Sequence, residues 1–319
     1  MIKDGALEKH KEIFRNLNVD KNKSRYTVGK APHKPILLLS LITLHKNDKI
    51  DLTNVQPNIY LREIWSELWA HLDYEKTGPI QLPMYHMKSD GFWDVQLKEG
   101  ITSHQPRSLT HLTEMVDRIS VDHELIELIE DETTRAELIE ALLNGGYFSE
   151  EEAISLVSEL DELDGSFRYE QKLNEMIMEE FVMAHGSIED VFTPSRDPAF
   201  RRAVLSAYDE TCSVCGFHLI SSTGISVIDA AHILPFHKFQ NDDIRNGLAL
   251  CKTHHWLFDR GLLTLDDSYR VMISPSIEEE MPRGAVTRFR KKEICLPREE
   301  EKRPSELAIE WHREKVYVG

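Results

Sequence analysis

Val227-Ile228-Asp229-Ala230-Ala231-His232-Ile233-Leu234-Pro235 is an apolar run that closes on an imidazole and a proline. It reads as a strand up to His232, which Pro235 ends because proline has no N–H for a ladder. After a loop comes Asn246-Gly247-Leu248-Ala249-Leu250-Cys251, a second short strand. Lys252 to Arg260 follows as a helix, with Gly261 as its natural C-terminal stop. Strand, loop, strand, helix makes a ββα unit, and the rest of the chain is read outward from it.

The unit sits inside a metal staple. Cys212 and Cys215 form one Cys-x-x-Cys pair, and 36 residues later Cys251 and His254 form a Cys-x-x-His pair. Three thiolates and one imidazole suit a closed, tetrahedral structural Zn²⁺. A rival set, Cys212, Cys215, His232 and His237, imitates a zinc finger. Its spacer of 16 residues exceeds the usual ~12, and it leaves Cys251 and His254 unexplained. Cys295 is left over as an ordinary thiol. Four cysteines in 319 residues are too few for a disulfide framework.

Ala230-Ala231-His232-Ile233, Asn246 to Cys251 and His254-His255-Trp256-Leu257-Phe258-Asp259 together resemble an HNH endonuclease module of the restriction type. The order His, Asn, His is kept at intervals of 14 and 9, and the resemblance covers about Phe200 to Ser274. It implies hydrolysis of DNA phosphodiesters, leaving 5′-phosphate and 3′-hydroxyl ends. His232 would be the general base, since imidazole titrates near neutrality. Asn246 would hold it in its productive pose. His255 and Asp259, at i and i+4, share one helix face and can reach one divalent ion, Mg²⁺ or Mn²⁺, acting as a Lewis acid. Many members place a ligand directly before the base. Here that residue is Ala231, and Asp229, on the same strand face, is the candidate substitute. Arg245 and Arg260 are candidate phosphate contacts, and Trp256, Leu257 and Phe258 read as helix core.

The net charge of −17 would by itself argue against a nucleic-acid partner. Divided along the chain, residues 1–118 carry +2, residues 119–185 carry −16 and residues 186–319 carry −3. The acidity is one middle block, read as a solvated helical spacer with breaks at Asn144-Gly145-Gly146 and Asp164-Gly165. The sharper alternative is a segment that covers a basic cleft until DNA displaces it. Thr193-Pro194-Ser195-Arg196-Asp197-Pro198 is the clearest boundary.

At the N-terminus, Pro32-His33-Lys34-Pro35 opens a buried helix through Leu44, and Ile59 to Leu72 is amphipathic, with Trp65, Leu68 and Trp69 on one face. Gly78 to Leu97 reads as a hairpin, from the alternation of Ile80, Leu82, Met84 and His86 and a turn at Ser89-Asp90-Gly91. Gly29 to Leu39 and Pro83 to Trp93 resemble the DNA sulfur-binding domain of phosphorothioate-dependent restriction enzymes. The resemblance implies a small apolar pocket at Pro83, Met84 and Tyr85, with Arg25, Lys30, His33 and Lys34 around the phosphate. This chain has Leu82-Pro83-Met84 where that family tends to Tyr-Pro-Phe.

The expectation is an α+β protein: a DNA-recognition domain at 1–118, an acidic helical linker at 119–192 and a zinc-stapled ββα-metal (HNH) domain at 193–319. Its function would be that of a DNA endonuclease of prokaryotic defence, directed to modified DNA. Two alternatives are an HNH nickase effector working with other defence-system subunits, and a non-catalytic zinc-stabilised DNA-binding regulator. A homodimer is expected where both strands are cut. No apolar run is long enough to span a membrane, and the charged start lacks a signal core, so a cytoplasmic location is expected.

Overall fold

Pro35 to Leu44 lacks any charged residue and folds as α2 (His33–Lys46), whose core from Lys34 to Leu44 is buried on every side. A helix apolar all round belongs at the centre of a core, and four other helices of its half of the chain pack on it. The computed structural model describes residues 2–22, 25–74, 77–102, 104–183, 196–221, 224–279 and 284–319. Within these the chain divides into two units, residues 1–161 with 222–225 and residues 162–221 with 226–319. Residues 193–195 of the expected proline-rich boundary lie outside the described residues.

In the first unit α1 (Ile2–Arg15) precedes α2 and α3 (Ile59–Ala70) packs on it. Asn58 caps α3 by accepting from the Leu61 N–H at 2.9 Å. Trp65 and Leu68 are fully buried and Trp69 is 4 % exposed, as the amphipathic spacing requires. A short helix, α4 (Gln81–His86), and a 3₁₀ turn lead to β1 (Trp93–Leu97), and α5 (Leu109–Met115) leads to β2 (Val116–Val121). β1 and β2 pair antiparallel, from Trp93 opposite Val121 to Leu97 opposite Val116. The first strand of the expected hairpin is therefore α4. Pro83 disfavoured a strand, and six residues are too few for alternation to exclude a helix.

The acidic block begins inside this unit. α6 (His123–Glu130) and α7 (Glu132–Leu143) pack on α1 and α2. Leu125, Ile126, Leu128, Ile129, Leu138 and Leu142 are buried while the carboxylates face outward. Tyr147 fastens the break after α7, donating to the Phe14 carbonyl at 2.9 Å and accepting from the Leu17 N–H at 2.7 Å. α8 (Glu150–Met176) then runs unbroken through Asp164-Gly165. A helical glycine costs about 1 kcal/mol relative to alanine, and the buried neighbours Leu163, Ser166 and Phe167 outweigh it. α8 is long but acidic, and no helix among the described residues is long and apolar enough to cross a membrane.

In the second unit α9 (Arg196–Ala207) packs on the pair β3 (Ile228–His232) and β4 (Gly247–Cys251), with α10 (Phe236–Phe239) between them in sequence. Gly247 permits the close approach: a Cβ there would lie 2.4 Å from a Val204 methyl. β3 and β4 are antiparallel, Ile228 facing Cys251 and His232 facing Gly247. α11 (Lys252–Asp259) follows at once and ends at Gly261, whose φ of 66° is left-handed. A hairpin of β5 (Leu263–Leu265) and β6 (Val271–Ile273) and the terminal α12 (Glu306–Lys315) complete it.

α12 brings His312 into this core. Its ring stacks on Phe258 at 3.8 Å, and its nitrogens meet Thr264 Oγ1 at 2.9 Å and the Phe258 carbonyl at 3.2 Å. Burial pushes its pKa down from 6.5 to about 4. The neutral ring is thus bound in the fold, and its stabilising effect is complete above pH 6.5 and is lost as pH falls toward 4. Over that window the loss is about 3 kcal/mol. Thermal melts at pH 7 and pH 4.5 should show this steep acid loss in the wild type and a shallower one in His312→Gln; equal slopes would refute it.

Candidate active site and zinc centre

Among the described residues, one group with the donors of a structural zinc site comes together: Cys212, Cys215, Cys251 and His254, whose ligand atoms all lie within 4.8 Å of one another. His254 Nδ1 is 3.4 Å from Cys212 Sγ and 3.2 Å from Cys251 Sγ. Tetrahedral bonds of about 2.3 and 2.0 Å set such edges near 3.5 Å, so the donor set fits zinc. Contact with Cys212 and then Cys251 drives the Cys215 thiol pKa up, while the same crowding drives that of Cys251 down. A divalent ion bound here would hold all three as thiolates. A second group, His10, Asp122 and Glu124, also gathers, but the Lys9 ammonium sits 2.6 Å from Glu124 and neutralises it.

His232 ends β3 away from the zinc set. Its Nε2 is 2.7 Å from Asp242 Oδ1, and the Asp242 side chain is 1 % exposed. The Tyr169 hydroxyl donates to the other Asp242 oxygen at 3.0 Å. Phe200 of α9 stacks on the His232 ring at 4.0 Å and 9°, which fixes its plane. The His232 side chain remains 19 % exposed, so solvent reaches it.

Asn246 does not touch His232. Its amide accepts from the Leu234 N–H at 2.8 Å and donates to the carbonyls of Leu234 at 3.2 Å and Asn241 at 2.9 Å. It therefore clamps the backbone just after His232 to the backbone just before Asp242. Asp242 was invisible to motif reading; its one sequence signal is the acidic pair Asp242-Asp243 ten residues after the imidazole.

His255 stands between two carboxylates. Its Nδ1 lies 3.1 Å from Asp229 Oδ2 and its Nε2 3.5 Å from Asp259 Oδ2. The two acids address opposite ring nitrogens, so Asp259 stands on the side where Nε2 would hold an ion and Asp229 faces the other nitrogen. Asp229 also holds Lys252 at 2.7 Å. Burial opposes the charge on Asp229, and the hydrogen bonds and charge of Lys252 and then His255 outweigh it, keeping its carboxyl below the usual range.

The other candidates separate clearly. Arg245 is committed to Asp243 at 2.6 Å and to the Met176 and Glu179 carbonyls at 3.0 Å, so it is a structural clamp and not a phosphate contact. Arg260 is exposed. Leu257 and Phe258 are core at 6 % and 2 % exposure, but Trp256 is 50 % exposed, against its expected burial.

In the first unit Met84 is fully buried, Tyr85 is 3 % exposed and Pro83 is buried. They are core, because α4 turns them inward where a strand would have spread them. Lys34 is 5 % exposed and paired with Asp90 and with Ser89 at 3.0 Å, so it too is internal. Lys30 donates to the Gly145 carbonyl at 2.8 Å and lies over the Tyr147 ring. Arg25 and His33 belong to a different surface. The His33 ring meets Trp69 at 4.8 Å and Tyr26 at 6.1 Å, and Tyr74 meets both Trp69 and Tyr26. Burial, then the nearby Arg25 charge, pushes His33 down to about 4. Arg25 is 68 % exposed, 3.6 Å from Asp20.

Comparison with known families agrees with this division. Residues 212–266 match the HNH endonuclease family, and residues 8–161 match the family described as ScoMcrA-like, DNA sulfur-binding domain. No curated protein matches. Among solved structures, a modification-dependent TagI restriction endonuclease is similar at 23 % identity, over 39 % of this chain, with a TM-score of 0.30. The chain spans about 40 % of the length of that structure.

Proposed function

We propose that this chain, an HNH endonuclease module joined to a ScoMcrA-like DNA sulfur-binding domain, is a restriction-type nuclease that cuts DNA bearing phosphorothioate linkages. The cutting half rests chiefly on the His232–Asp242 pair. Asp242 accepts from Nε2–H, which leaves the Nδ1 lone pair of His232 to take a proton from the attacking water. Asn246 is a positioning residue for both partners through the backbone. His255 and Asp259 would hold a divalent ion, Mg²⁺ or Mn²⁺, which supplies positive charge for the departing 3′ oxygen. Asp229, on Nδ1 of His255, fixes the tautomer that presents Nε2. Zn²⁺ on Cys212, Cys215, Cys251 and His254 is structural. One site per chain cuts one strand, so double-strand cleavage requires two chains.

The recognition half is supported by the half-buried rings of Tyr26, His33 and Tyr74, backed by the buried Trp69 and standing beside Arg25. Sulfur is larger and softer than oxygen and favours an apolar aromatic surface. A neutral His33 adds no hydration cost there, and Arg25 meets the remaining negative charge. The full chain should bind a duplex with one phosphorothioate at least tenfold more tightly than the same duplex without it, at one stated salt concentration. Arg25→Ala should weaken both, because it removes a phosphate contact. Equal affinity of the wild type for the two duplexes would remove modification specificity while leaving nuclease activity to be judged by cleavage.

A further inference from the structure

α11 exposes a continuous arc. At 100° per residue, His255, Asp259, Lys252, Trp256 and Arg260 succeed one another over about 140° of helix circumference. His254, Leu257 and Phe258 fill the buried side. The first two members belong to the candidate active site. The remaining three form a stripe of cation, aromatic ring and cation that takes no part in the proposed proton transfer or ion binding. Trp256 is 50 % exposed, and the Arg260 guanidinium lies over its ring at 4.4 Å. Single exposed apolar residues are ordinary on a protein surface. This one adjoins His255 in sequence, is flanked by two cations one helical turn away on each side, and is covered on one face by the Arg260 guanidinium.

We propose that the Lys252–Trp256–Arg260 stripe is the DNA-contacting edge of the module, with Trp256 placed against the bases at the cut and Arg260 on a flanking phosphate. The proposal rests on the endonuclease reading of the second unit and adds its substrate contact. An aromatic face accepts any base, which suits a module that leaves target choice elsewhere. An apolar wedge beside the scissile step also opens the stack toward the catalytic groups. Lys252 already neutralises Asp229 at 2.7 Å, so the stripe joins the His255 environment without a gap in charge. A protein partner is the alternative occupant; the exposed Arg260 guanidinium on the ring favours a polyanion, the Lys252 charge being balanced by Asp229.

The test uses zinc-loaded full-length protein and DNA fragments in which thymine is replaced by 5-iodouracil, a photocrosslinker of stacked aromatics. With His232→Ala preserving the DNA, the crosslink should map to 252–260 and vanish in Trp256→Ala. In otherwise wild-type protein, Trp256→Ala should lower cleavage efficiency on the order of tenfold, mainly through KM, and Trp256→Phe should recover most of it. Arg260→Ala should reduce the salt slope of binding by about 1. Zinc content and thermal midpoint should stay unchanged, because Trp256 is outside the core. Unchanged KM and salt slope in these variants, with crosslinks elsewhere, would overturn the proposal. Wild-type protein that crosslinks at Trp256 but never cuts would instead leave the stripe standing and remove the nuclease reading.

Discussion

His232→Ala will reduce the rate of DNA cleavage by about three orders of magnitude, which corresponds to about 4 kcal/mol of barrier. DNA binding should hardly move, while the melting temperature should fall by a few degrees, because the buried Asp242 carboxylate loses the Nε2–H of His232. Asp242→Asn is the more diagnostic companion. Asparagine keeps the shape but can donate to Nε2 of His232, which selects the tautomer with Nδ1–H and removes the base. The loss should be on the order of a hundredfold or more. A base that acts without Asp242 would be indifferent to this change. Cleavage by His232→Ala at the wild-type rate would exclude the imidazole altogether, and a plasmid assay with Mg²⁺ or Mn²⁺ reads both outcomes.

The two substitutions also mark where the sequence is transparent and where it is opaque. The ββα unit is legible because each part is local: β3 ends three residues short of Pro235, β4 runs directly into α11, and Gly261 closes the helix. The zinc set was legible because its donors come as two short pairs. Asp242 was not, because its partnership with His232 depends on how a ten-residue loop folds back, which Asn246 settles through three hydrogen bonds to main chain. Asp229 showed its strand face but not which nitrogen of His255 it would meet. In the first unit the longest apolar run, α2, declares itself, whereas the alternation across α4 imitates a strand. The helix places Pro83, Met84 and Tyr85 in the core, where a strand would place them on a pocket wall. Lys34 has the look of a phosphate ligand in the sequence because nothing local pairs it with Asp90, 56 residues away. Charge alone misled in the same way: residues 119–161 are acidic outside and apolar inside, and they fold as part of the first unit.

Removal of zinc will have the largest structural effect of all. The 212–215 knuckle is fastened to β4 by one backbone bond, Ser213 N–H to the Ala249 carbonyl at 2.8 Å, and to the C-terminal region by Cys295 N–H to the Ser213 carbonyl at 2.7 Å. Without an ion those few bonds must also hold three thiols and a buried imidazole together, and His254 Nε2 already has no partner. Structural zinc contributes about 10–16 kcal/mol at neutral pH, as much as the whole stability of a typical domain. Cys251 is both the last residue of β4 and the N-cap of α11, so its release frees the element that carries His255 and Asp259. Chelation, or Cys251→Ser, should therefore unfold the second unit and abolish cleavage, while added Mg²⁺ should not restore it and Zn²⁺ should. The first unit contains none of the four ligands and should keep its own melting transition. One equivalent of zinc per chain in the purified protein is the matching analytical result. A chelated protein that still melts as before would mean that the four side chains meet without a metal, and the ββα unit would then have to be held by its core alone.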